Sequence, residues 1–143
     1  MNIFKYIYLC LFVSFISLNL FSQTKTDGWE EGSKYNKLFK ITKIDTVTGY
    51  ILQVENIPPM QGMTEGIILK VKSGKDTLIV HVCPKWMGDL LNIKLQPEDE
   101  VIIEGGNTKC NGNTVFMATK LTANGIILQL RDEKGTPIWD RLR

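Results

Sequence analysis

From Thr46 onward, apolar and polar residues alternate with a period close to two. In "TVTGYILQVENI" the alternation sets Val47, Gly49, Ile51 and Gln53 on one side, and Thr48, Tyr50, Leu52 and Val54 on the other. Apolar residues on both sides predict a strongly bent strand of a closed barrel, with Gly49 at the bend, where a side chain would crowd. "IILKVKS" and "DTLIVHVCP" are two β-branched runs joined through Gly74 and Lys75, the pattern of a hairpin. In the second run Leu78, Val80 and Val82 share one face, and Thr77, Ile79, His81 and Cys83 the other. Pro84 has no N–H to give to a ladder and stops the strand. The period then changes: in "KWMGDLLNIKL" Trp86, Leu90 and Ile93 recur at helical spacing, which predicts about two turns of amphipathic helix. A fourth strand over Glu100–Glu104, a hairpin loop "TKCNGN" built on an Asn-Gly pair, and a fifth strand "TVFMATKLTA" follow. The chain closes with a strand over Ile126–Leu130, a turn at Lys134–Gly135 and a short terminal strand ending near Trp139.

This order predicts an all-β chain with one short helix: an OB-fold-like five-stranded barrel, its helix between strands three and four, plus a C-terminal hairpin. Another small β-barrel or a sandwich is the alternative architecture. The barrel domain spans 46–143. Residues 23–45 form a polar N-terminal arm, "QTKTDGWEEGSKYN" and the residues after it, with Trp29 and Tyr35 as its docking aromatics. Between strands one and two, "PPMQGMTEG" is a loop carrying Met60 and Met63. Residues 1–22 hold Lys5 and then an apolar run from Tyr6 to Phe21, shorter than the roughly 20 residues of a membrane span. They have the make-up of a signal peptide with Ser22 at the cleavage position, so the expectation is an exported chain, periplasmic or secreted, with no stable membrane span after cleavage; an uncleaved anchor is the alternative.

Charge narrows the partners. The 17 Lys and Arg residues are nearly balanced by 15 Asp and Glu, and the two signs are interspersed, unlike the basic stripe of a nucleic-acid binder. The expected partner is therefore an envelope protein or a small ligand, and no nucleic acid. Cys83 and Cys110 remain after cleavage; in an oxidising compartment they are either a disulfide pair or two packed thiols.

His81 is the only histidine of the chain and stands two residues from Cys83. On one face of a strand, imidazole and thiolate suit a cuprous or soft divalent ion, with Met60 and Met63 as thioether ligands. Zinc ordinarily takes three or four protein ligands, and with one histidine in the whole chain any such site is sparse. The structural alternative is a strand-end histidine bonded to a neighbour and a cysteine that is packed or bridged. As nucleophile and base the pair lacks a third, orienting group, so no catalytic residue is expected. Glu98, Asp99, Glu100 and Glu104 lack the spacing of a calcium loop and read as a solvated turn. An OB barrel binds across strands two and three; here that face carries Lys70, Lys72, Thr77, Ile79 and His81, without a row of stacking aromatics. The candidate ligand-binding set is His81, Cys83, Trp86, Met60 and Met63.

The segments "GWEEGSKYNKLF", "VTGYILQVENI", "VHVCPKWMGD", "LQPEDEVIIEG" and "RDEKGTPIW" resemble exported bacterial OB-fold domains of the magnetosome MamS/MamX type. The resemblance implies an OB-fold and a place in the cell envelope. The family often has glycine where this chain has Cys83, so it implies no role for that thiol. Some members work beside haem-binding domains, but this chain lacks a Cys-x-x-Cys-His motif and haem attachment does not carry over. The resulting expectation is a non-catalytic exported binding module without a cofactor. The alternative is a copper- or iron-related accessory protein using His81 and Cys83.

Overall fold

The computed structural model describes residues 26–40 and 42–143. The signal segment expected at 1–22 lies outside the described residues, as do the first residues of the arm. Six strands and one short helix follow one another: β1 (Asp45–Ile57), β2 (Gly66–Ser73), β3 (Asp76–Pro84), α1 (Lys85–Leu90), β4 (Glu100–Cys110), β5 (Asn113–Ala123) and β6 (Ile126–Gln129). They form one sheet in the order β3-β2-β1-β4-β5-β6, and a parallel pairing of β3 with β5 closes five of the strands into a ring. This is the expected all-β architecture with a short helix between the third and fourth strands.

β1 joins both halves of the ring. Its first half pairs with β4 and its second with β2, and the change of partner falls at Tyr50. Val47, Gly49 and Ile51 turn inward as the alternation predicts. A bulge between Ile51 and Gln53 then shifts the phase, so that Val54 rather than Gln53 packs on the core. Gly49 stands at the bend: a Cβ there would run into the carbonyl of Lys72, 2.9 Å from its carbon.

The turns follow local chemistry. Asn111–Gly112 and Asn124–Gly125 both have positive φ at each residue (52° and 79°, 52° and 75°), the two-residue hairpin geometry that Asn-Gly favours. The loop expected over "TKCNGN" shrinks to the first of these turns. β4 accordingly runs to Cys110 and not merely to Glu104. Its Gly105 faces a bulge at Thr119 of β5 and is pressed against that strand, 2.9 Å (as a Cβ) from the carbonyl carbon of Met117. The glycine pair that looks like a strand end is a close backbone crossing.

Two further expectations change. The helix has six residues, close to the two turns expected, but it exposes part of the face expected to be buried. Asn92 enters the left-handed region at φ 52°, and the N–H groups of Asn92 and Ile93 return to the carbonyls of Asp89 (3.2 Å) and Gly88 (2.9 Å), a Schellman close. Its buried face is Met87 and Gly88, with Gly88 seated on Ile67, while Leu90 is 60% exposed. The terminal hairpin is reduced to a single bridge, Arg131↔Pro137. Pro137 cannot continue a ladder, and the chain turns into a 3₁₀ segment, Ile138–Arg141, that delivers Trp139 to the core.

The arm docks through the aromatics picked out in the sequence. Trp29 and Tyr35 are buried, and Trp29 meets Tyr35 and Trp139 edge-on at 5.0 and 5.7 Å. Trp29 Nε1 donates to the Thr64 carbonyl at 3.1 Å, and Trp139 Nε1 donates to the Trp29 carbonyl at 2.6 Å. Arg131, also buried, lies over the rings of Phe39 and Trp139 and donates to Asn36 Oδ1 (2.8 Å) and the Gly135 carbonyl (3.1 Å). Arm and C-terminus are thereby clasped to each other and to the barrel. No helix among the described residues is long and apolar enough to cross a membrane.

Candidate ligand-binding cleft

Cross-strand partners share a face of the sheet. On β2 and β3 the outward pairs are Ile68↔His81, Lys70↔Ile79 and Lys72↔Thr77, the row the alternation predicts. Above the inner end of this row lies a cavity of about 230 Å³. Its floor is Ile68, Lys70, Ile79 and His81; its walls are Glu55, Ile57, Pro58 and Pro59 on one side and Cys110, Asn111, Asn113 and Val115 on the other. The β1–β2 loop and the β4–β5 turn thus close over the β2–β3 face, where OB-type barrels hold ligands. The two walls touch: the Cys110 thiol and Asn111 Nδ2 both donate to the Pro59 carbonyl, at 3.5 and 3.3 Å.

His81 is 6% exposed and stacks on Tyr35, whose hydroxyl lies 2.9 Å from its Nδ1. Burial lowers the imidazole pKa to about 4, so the ring is neutral near pH 7. Burial also raises the Tyr35 phenol well above its ordinary value and keeps it protonated. The histidine shift predicts acid sensitivity. Between the ordinary value of 6.5 and about 4 the unfolded chain binds a proton that the folded chain refuses. Stability is therefore complete above pH 6.5 and falls as the pH drops towards 4, by on the order of 3 kcal/mol in all. Urea midpoints measured from pH 7 to 4 should show this loss in the wild type, and much less of it in His81→Gln, which still accepts from Tyr35. Parallel curves for the two proteins would contradict the assignment.

The structure does not bring the candidate set together. A bulge at Val82 separates the pairs Ile68↔His81 and Ile67↔Cys83. Ile67 points into the core against Gly88, so Cys83 shares that inner side while His81 faces outward. The period of two that places the two on one face is broken between them. Cys83 is buried, and its thiol is pushed up to about 12 by that burial. Cys110 is the cysteine that lines the cleft with His81; both cysteines are free. Trp86 is half-buried elsewhere, its Nε1 donating to Asp27 at 3.0 Å beneath the Arg143 guanidinium. Met63 packs against Gly28, and neither it nor Met60 lines the cleft. Among the described residues no three His, Cys, Asp or Glu side chains converge as metal ligands would. Tyr35, Pro59, Cys110 and Val115 escaped the sequence reading as site residues, because loop closure and arm docking bring them in from distant parts of the chain.

The MamS/MamX magnetosome protein family matches residues 43–128, which include the cleft-forming strands and both loops. The chain belongs to this family. No curated protein matches it significantly. Within this MamS/MamX chain the match leaves out the arm and the C-terminal segment, and so Trp29, Tyr35, Arg131 and Trp139. Two of the segments that carried the resemblance, Gly28–Phe39 and Arg131–Trp139, therefore lie beyond it.

Proposed function

We propose that this MamS/MamX chain is an exported, non-catalytic binding module whose ligand occupies the cleft on β2 and β3, serving the magnetosome setting its family name gives. The observation that carries the reading is the concave, mainly apolar cleft with one buried polar group at its floor, closed by two loops that touch at Pro59. Fold by itself would not suffice. The cleft offers little for catalysis: the Cys110 thiol is raised in pKa by burial and engaged with Pro59, and a protonated thiol is a poor nucleophile.

Methyl-resolved NMR titration with ring-sized organic fragments tests the reading. Shifts should gather on Ile57, Ile68, Ile79 and Val115, and Ile79→Trp, which fills the cleft, should abolish them. Shifts elsewhere, or none at these four residues, would reject the cleft as the binding site. Export is read from residues 1–22, and N-terminal sequencing of the protein from its native envelope should find the first 22 residues or nearly so removed. An intact Met1 on a cytosolic protein would refute it.

A further inference from the structure

We propose that the cleft receives a ring-sized apolar group bearing an oxygen acceptor, a carbonyl or carboxylate, which takes a hydrogen bond from Nε2–H of His81, and that Tyr35 sets that tautomer. The proposal rests on the cleft being the binding site. The Tyr35 hydroxyl is buried, and its only partner among the described residues is Nδ1 of His81 at 2.9 Å. A buried hydroxyl that donates to nothing loses a hydrogen bond it would make in water, so the phenol donates and Nδ1 accepts. A neutral ring that accepts at Nδ1 carries its proton on Nε2. Nε2 has no partner among the described residues, and it is not among the atoms sealed from solvent without one. His81 lines the cleft, so this N–H is offered there. Apart from Lys70, the remaining floor is apolar, as is much of the walls: Ile57, Pro58, Ile68, Ile79 and Val115. At about 230 Å³ the cavity falls just below the roughly 300–1,000 Å³ of drug-sized sites, which suits a single ring and its substituent. The same arrangement disfavours metal, because the one bare nitrogen, Nδ1, is occupied by the Tyr35 hydroxyl and Nε2 carries the proton.

Four probes of similar size test the proposal on the folded chain: acetophenone, benzoate, cumene and benzylamine. Acetophenone or benzoate or both should bind in the cleft roughly 10-fold more tightly than cumene and benzylamine, the worth of one hydrogen bond. Long-range ¹H–¹⁵N spectra of the wild type should show His81 with a protonated Nε2 and a bare Nδ1. Tyr35→Phe should mix the two tautomers and shrink the preference for acceptors. His81→Phe should remove that preference while cumene still binds. Binding of benzoate without acetophenone would support an anionic acceptor, and Lys70→Met should then weaken it; binding of both supports a neutral one. Affinities of both acetophenone and benzoate no tighter than that of cumene, or a protonated Nδ1 in the wild type, would overturn the proposal and leave the cleft reading standing. Failure of all four probes to reach the cleft would overturn both.

Discussion

Trp29→Ala should lower the stability of the protein by about 3–5 kcal/mol, the range for deleting a buried indole. The side chain is fully buried at the meeting point of three separate stretches of chain. Its ring covers Gly66 of β2, meets Tyr35 and Trp139 edge-on, and its Nε1 holds the Thr64 carbonyl of the β1–β2 loop. Its own carbonyl accepts from Trp139 Nε1 and from Asn36 Nδ2, so arm and C-terminus are tied at one residue. Truncation leaves a cavity that these elements cannot fill without separating. It also strands the Thr64 carbonyl and loosens Tyr35 over His81. The measurement is the urea midpoint of Trp29→Ala beside Trp29→Phe, which keeps ring contact and loses the donor, and should cost less. A loss below about 1 kcal/mol in Trp29→Ala would mean that the arm contributes little to the fold in solution.

Gly49→Val should cost about 3 kcal/mol or more, at the upper end for overpacking, because the added atoms meet backbone and not a movable side chain. A Cβ at this position runs into the Lys72 carbonyl and stands 3.1 Å from Val71 Cγ1. Lys72 pairs with Tyr50, the residue at which β1 exchanges β4 for β2, so the clash falls at the corner of the ring. Relief requires β1 and β2 to part there. Gly49→Ala should show most of the same loss, since the Cβ alone makes the clash. Gly74→Ala is the contrasting control: open space surrounds that position, and its strain comes from a φ of 57°. An unchanged urea midpoint for Gly49→Val would contradict the register of β1 against β2.

Local chemistry made much of the fold legible. The alternation in β1 to β3, the Asn-Gly turns and the proline after Cys83 each act through neighbouring residues, by side-chain direction, positive φ or a missing N–H. The outward row of β2 and β3 was legible for the same reason: Lys70, Lys72, Thr77, Ile79 and His81 follow from strand periodicity. Two of the misreadings share one cause. The bulge at Val82 turns Cys83 away from His81, and a bulge at Thr119 of β5 accompanies the run of β4 through Gly105 past an apparent stop. A bulge is selected by what the strand pairs with, and a single run of residues does not announce its partner. In the helix Trp86 packs partly on the core while Leu90 is left exposed, and Gly88, which offers no apolar side chain to read, is the position seated on Ile67.

By itself, then, the sequence determined an all-β chain with a helix between its third and fourth strands, the strand face that carries His81, and the aromatics that dock the arm. Periodicity, turn residues and burial of large apolar side chains act over a few residues or without direction, so they survive in a linear reading. Only the tertiary structure decided that β3 meets β5, that Cys110 and not Cys83 stands beside His81 in the cleft, and that Tyr35 holds the imidazole. Tyr35 and His81 are 46 residues apart, and Cys110 and Pro59 are 51 apart. Contacts of that separation arise when closure of the ring buries enough apolar surface to offset the lost chain entropy, a balance set by the whole chain and by no segment within it.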